Sequence, residues 1–139
     1  MSSMGTFRTT ILIESIEHRG ETRSVEGALV DAGSEFTWVP RAVLEELEIR
    51  PEFMQRFILA DGRTLDRQVG MAVVHAAGAY APDFVVFAEP SDMAILGARS
   101  LEGMNLRVDA LRKQLVPAGP ILAGAAPRHR RQRAAATIA

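Results

Sequence analysis

The sequence predicts one mostly β domain, and three observations lead there. Short runs rich in Val, Ile, Thr and Phe recur along the chain and are broken by Gly, Pro and Asp-Gly turns. Helical spacing is confined to short stretches, so one or two short helices are expected beside the strands. The length, 139 residues, suits a single domain with a modest core and falls short of two full lobes.

Taken in order, residues 7–16 alternate imperfectly, with Phe7, Thr9, Ile11 and Ile13 on one face, and His18-Arg19-Gly20-Glu21 then forms a turn. Residues 24–30 run back as a second strand whose end, Ala28-Leu29-Val30, is apolar throughout and enters the core. Pro40 suits the first turn of a helix, where its missing N–H costs nothing; Val43, Leu44 and Leu47 line one face, and Pro51 marks the stop. Residues 53–60 and 64–74 flank Asp61-Gly62-Arg63, a hairpin signal. Residues 84–87 make a short apolar strand, 100–103 a helical turn, and 106–108 with 114–116 a last hairpin. The expected organisation is a flexible N-terminus over residues 1–5, a folded domain over 6–123, and a flexible tail over 124–139.

Composition narrows the chemistry. With no cysteine there is no disulfide framework, thiolate nucleophile or Cys-based metal site. The apolar stretches are interrupted too often for a membrane span of about 20 residues. The first residues lack the basic-then-apolar layout of a secretory signal, so a cytoplasmic domain is expected. The net charge of -1 argues against a dedicated nucleic-acid binder. It hides an asymmetry, because Arg128, Arg130, Arg131 and Arg133 follow Gly124, where no acidic residue occurs. The body therefore holds 12 of the 16 basic residues against all 17 acidic ones, a net -5. The tail reads as a solvated terminus, as an arm for nucleic acid or membrane, or as a clamp onto the acidic body. His18, His75 and His129 are scattered, no HExxH or GxSxG occurs, and neither phosphate-loop pattern is present. Lys113 is the sole lysine, which argues against Schiff-base chemistry. No metal or organic cofactor is expected.

One segment carries chemistry. Directly after the buried run comes Asp31-Ala32-Gly33-Ser34. A carboxylate at the end of an apolar strand is expensive to desolvate, and Gly33 permits a tight turn that brings amides close to it. By itself this also describes an ordinary strand-ending turn. It is followed, however, by Glu35-Phe36-Thr37-Trp38-Val39-Pro40 and a helix, by the Asp61-Gly62 hairpin, and by Ile95-Leu96-Gly97. Val108-Asp109 and Gln114-Leu115-Val116-Pro117 close the series. This order, over residues 6–117, resembles the retropepsin-like aspartic proteases, the single-lobe family of retroviral proteases and their bacterial relatives, here a bacterial-type member.

The resemblance implies a retropepsin-like single lobe closed as a homodimer, with polypeptide as substrate. In that family an Asp-Thr/Ser-Gly loop follows a buried strand, an apolar-apolar-Gly segment crosses behind it, and a hairpin acts as a flap. Asp31 would be the catalytic residue, with Ala32, Gly33 and Ser34 completing its loop. Two carboxylates sharing one proton around a water are needed: one activates the water, and the other, protonated, polarises the scissile carbonyl. This chain offers one such loop, since Asp61-Gly62 has polar flanks and no buried strand leading into it. Symmetry must supply the second. Ala60, Asp61, Gly62 and Arg63 would form the flap tip over the substrate, with Asp61 and Arg63 either touching it or simply solvated. Trp38 would wall the cleft or pack in the core. Ser34 would hydrogen-bond the outer oxygen of Asp31 or serve the turn, while Thr37 would serve packing or loop bonding. Ala32 departs from the family, whose hydroxyl at this place bonds across the dimer axis. The alternative to an endopeptidase is therefore a weak or inactive dimerisation or peptide-binding module on the same fold.

Overall fold

Eight alternating residues, Phe7–Glu14, form β1 and send Ile11 and Ile13 into the core, where neither is exposed. β1 pairs antiparallel with β2 (Thr22–Val30). The register shifts between Thr9 and Ile11, and this bulge accounts for the imperfect alternation. The computed structural model describes residues 6–126. The N-terminus expected to be flexible, residues 1–5, and residues 127–139 of the tail expected over 124–139 lie outside them.

Residues ahead of Pro40, expected only as a lead into a helix, form a strand, β3 (Thr37–Pro40). Pro40 therefore stands as the N-cap of α1 (Arg41–Glu46) and not inside its first turn. Leu44 of this short helix and Leu47 at its C-cap are buried, and Glu48, at a φ of 58°, turns the chain out of it before Pro51. β4 (Phe53–Ile58) and β5 (Thr64–Ala76) form the expected hairpin. A second hairpin was not expected: β5 turns directly into β6 (Ala79–Ala88), a strand of ten residues where the sequence suggested four. Ala77 and Gly78 both have positive φ, the geometry of a two-residue hairpin turn, but Ala-Gly lacks the Asn or Asp that usually announces one. β7 (Ile95–Leu96), α2 (Ala98–Gly103) and the hairpin of β8 (Leu106–Asp109) and β9 (Gln114–Pro117) complete the chain. The domain is mostly β with two short helices, as the sequence predicts.

The main sheet runs β1-β2-β7-β3-β6-β5-β4, and β1 also pairs with β5, which closes six of the strands into a ring. Inside it sit Val30, Val39, Val74, Val85, Phe87 and Leu96, all essentially inaccessible. β6 pairs with β5 only from Val69 onward, so residues 64–68 and their β4 partners leave the ring as a two-stranded arm.

Strand alternation gives the sheet a second apolar face. One row of registered partners crosses it as Leu29, Ile95, Trp38, Val86, Val69 and Phe53. Partners in register share a face, and this one is opposite the core. Val86 and Val69 are covered, while Phe53 is 38% exposed.

Candidate active site

β7, only two residues long, determines the site. It returns some sixty residues after β2 and β3 and inserts between them, parallel to β2 and antiparallel to β3. The Leu29 N–H donates to the Ala94 carbonyl at 2.9 Å and the Asp31 N–H to the Leu96 carbonyl at 3.0 Å. Asp31 is thereby held at the end of a central strand, half-buried and two residues beyond Leu29 of the second apolar face.

Behind the loop, Ala98 N–H donates to the Ser34 carbonyl at 2.7 Å and Arg99 N–H to the Glu35 carbonyl at 3.1 Å. Gly97 lies so close that a Cβ there would stand 2.8 Å from the Ser34 carbonyl oxygen and would also collide with the Phe36 carbonyl. Its N–H donates to Thr37 Oγ1 at 3.0 Å. Thr37 Oγ1 lies 2.6 Å from Ser100 Oγ, and the Ser100 hydroxyl donates to Asp83 Oδ2 at 2.7 Å. Thr37 and Ser100 are fully buried, and with this direction of donation each hydroxyl gives one bond and accepts one. The loop is thus anchored to β6 and α2 within a single chain.

Within the loop, Asp31 Oδ1 accepts the Gly33 N–H at 2.9 Å, and the Asp31 carbonyl accepts the Ser34 N–H at 3.0 Å. The Ser34 hydroxyl donates to the Phe36 carbonyl at 3.0 Å, so the bond to the Asp31 carboxylate considered from sequence is not formed. Ala32 and Gly33 are exposed. Among the described residues no hydrogen bond links a second carboxylate to Asp31.

Trp38 is neither core nor free: half-buried, it meets the Phe57 ring of the arm at 5.0 Å. Phe57 lies edge-on to Phe36 at 5.6 Å, Phe36 stacks on Phe84 at 6.4 Å, and Phe84 meets Phe53 at 5.4 Å. These five rings form a continuous aromatic wall from the Asp31 loop to the arm, of which sequence reasoning found only Trp38. The signal was present in Phe36-Thr37-Trp38, where burying the central Thr sends both rings to the other face.

The arm's tip is a closed unit. Arg63 N–H donates to Asp61 Oδ1 at 3.0 Å and its Nε–H to Asp61 Oδ2 at 2.7 Å, while Gly62 N–H donates to the Leu59 carbonyl at 2.9 Å. Ala60, Asp61, Gly62 and Arg63 are all exposed, and no described hydrogen bond joins them to the Asp31 loop. At the arm's root Arg67 makes two bonds to Asp92, at 2.7 and 2.9 Å, and this guanidinium holds the Asp92 carboxyl below the usual range. Asp92 lies in the connection entering β7, so the arm and the crossing segment are tied together.

A cavity of about 710 Å³ lies elsewhere, lined by Glu17, His18, Arg41, Glu45, Arg50 and Phe87, and includes none of the expected site residues. Among the described residues no cluster of three or more His, Asp or Glu side chains stands close enough to hold a metal ion. No described helix is long and apolar enough to cross a membrane.

No family model matches the chain, and no curated protein matches it. Among solved structures it is similar to the solution structure of Simian Foamy Virus (mac) protease. The TM-score is 0.46 and the identity 20%, over 68% of this chain and 91% of that one.

Proposed function

We propose that this chain is a retropepsin-like aspartic endopeptidase acting as a homodimer, with Asp31 of each copy facing its twin across a two-fold axis. The observation that carries the reading is the crossing of Ile95-Leu96-Gly97 behind the Asp31 loop. It fixes a half-buried carboxylate at the margin of an apolar, partly open face. A fold spends close packing and a buried hydroxyl chain on such a loop when the carboxylate must be held in place.

Two like charges about 3 Å apart cannot both ionise, so one Asp31 keeps its proton and the other takes one from the attacking water. The protonated partner polarises the scissile carbonyl, and collapse of the tetrahedral intermediate releases an amine and a carboxylic acid. The need for one proton on the pair sets an acidic to near-neutral optimum. The polypeptide lies extended along the aromatic wall, beside Trp38, with the arm closing over it as a flap through Ala60, Asp61, Gly62 and Arg63. No metal or cofactor takes part in this scheme.

Ala32 favours a second reading, a dimerisation or peptide-binding module without catalysis, because it has no hydroxyl to bond across the axis. Incubating wild type and Asp31→Asn with a denatured protein from pH 4 to 7, and sequencing the products, separates the two. Cleavage that disappears in the variant while the dimer persists supports the enzyme. A well-formed dimer that cuts nothing at any pH supports the module, and a protein that stays monomeric at high concentration removes the shared-site mechanism.

A further inference from the structure

Arg99 is the first exposed residue of α2 beyond Gly97, and its guanidinium has an unusual setting. It lies 5.2 Å from the centre of the Phe36 ring and 5.8 Å from that of Phe84, two members of the aromatic wall. The main chain at Arg99 is fixed as well, through its N–H bond to the Glu35 carbonyl. None of the ion pairs among the described residues involves it; Glu35 and Glu102, its acidic neighbours in space and in sequence, leave it unpaired. Other arginines bordering this part of the fold are committed: Arg67 to Asp92, Arg41 to Glu89, Arg56 to Asp66 and Arg63 to Asp61.

A guanidinium held beside aromatic rings is attracted by their π-faces, and these rings take none of the hydrogen bonds that its N–H donors would give to an oxygen acceptor. The rings reduce its freedom without using those donors. A carboxylate is the group that matches such a planar fork, taking two parallel bonds at once.

We propose that Arg99 is a specificity-determining residue that receives an Asp or Glu side chain of a bound peptide, so that cleavage favours sequences with an acidic residue near the scissile bond. This rests on the endopeptidase reading, in which the peptide runs along the wall that Arg99 borders. The two-fold axis repeats the arginine, so the preference appears on both sides of the cut.

The probe is a set of fluorogenic peptides of one parent sequence, with Glu, Gln or Lys placed in turn at each position flanking the cleaved bond. Wild type is expected to favour Glu over Gln by about tenfold in kcat/KM at one position on each side, the strength of a charge-assisted pair. Arg99→Gln removes that preference and Arg99→Glu transfers it to Lys, each read as the ratio of kcat/KM between peptides within the one variant. Equal handling of Glu and Gln by wild type, or a preference that survives in Arg99→Gln, overturns the proposal while leaving the protease standing. Should wild type cleave no peptide, equilibrium binding of the same set to wild type and Arg99→Gln decides: tighter Glu binding lost in the variant upholds the acidic preference, and equal binding ends it.

Discussion

A methyl group at Gly97 would meet two carbonyl oxygens of the main chain, those of Ser34 and Phe36, and neither can rotate away as a side chain would. Gly97→Ala must therefore push β7 off the Asp31 loop. The expected cost is about 2–3 kcal/mol, typical of overpacking, together with loss of cleavage. Urea midpoints and a peptide assay measure the two effects; an unchanged midpoint would mean that the loop and the crossing segment are less closely packed than described. Gly97 was legible only through the resemblance carried by the order of motifs, since an apolar pair followed by Gly is by itself a common pattern. The partner of Ser34 was not, since a short hydroxyl reaches several acceptors and only the folded loop selects the Phe36 carbonyl. Arg99 and Asp83 were equally hidden, because a cation on a ring and a carboxylate beneath two hydroxyls are juxtapositions made by tertiary packing.

Among the elements, β5 does two tasks along its 13 residues. Its first half belongs to the arm and its second half closes the ring, with His75 registered against Leu12 of β1. That closure is fastened by Glu14, buried at the end of β1, whose carboxylate accepts from the His75 Nε2 at 2.7 Å and the Gly20 N–H at 2.7 Å and pairs with Arg19 at 3.0 Å. Arg19 first, then His75 and the Gly20 amide, pull the Glu14 carboxyl from 4.5 down to about 2. A carboxyl lowered on folding stabilises fully above its unfolded value, and that stability is lost as pH falls through its folded value. Wild type should therefore lose stability between about pH 4.5 and 2, more steeply than Glu14→Gln, while holding its fold across the acidic range proposed for cleavage. Parallel slopes in urea titrations at pH 5, 3.5 and 2 would contradict this. Strand identity was readable here from alternation, and the Asp61-Gly62 hairpin from its turn residues. The β5–β6 hairpin and β3 escaped notice for opposite reasons: one had too weak a turn signal in Ala77-Gly78, and the other carried a proline that suggested a helix.

At the scale of the whole molecule, one chain supplies one loop, and the proposed catalyst exists only as a pair. In the proposed dimer Ala32 would stand beside the axis, where a hydroxyl from each copy would bond the opposite loop. Ala32→Thr should add two such bonds, each on the order of 1 kcal/mol, and tighten the dimer by at least about tenfold. Sedimentation equilibrium measures this, and an unchanged dissociation constant would place Ala32 away from the axis. The mostly β lobe and the order of its features could be read from one sequence; symmetry could only be inferred, since nothing in a chain states what its second copy does. The insertion of β7 has a consequence in time as well as in space. β2 and β3 are not bonded to each other but to a two-residue strand that the ribosome delivers some sixty residues later. Long-range closures of this kind are slow, so the slot between them must stay open while the rest of the sheet assembles. Under the proposed reading, a nascent chain that ends before residue 97 holds Asp31 without the segment that packs behind its loop, so the shared site could not form until synthesis of the lobe is nearly done.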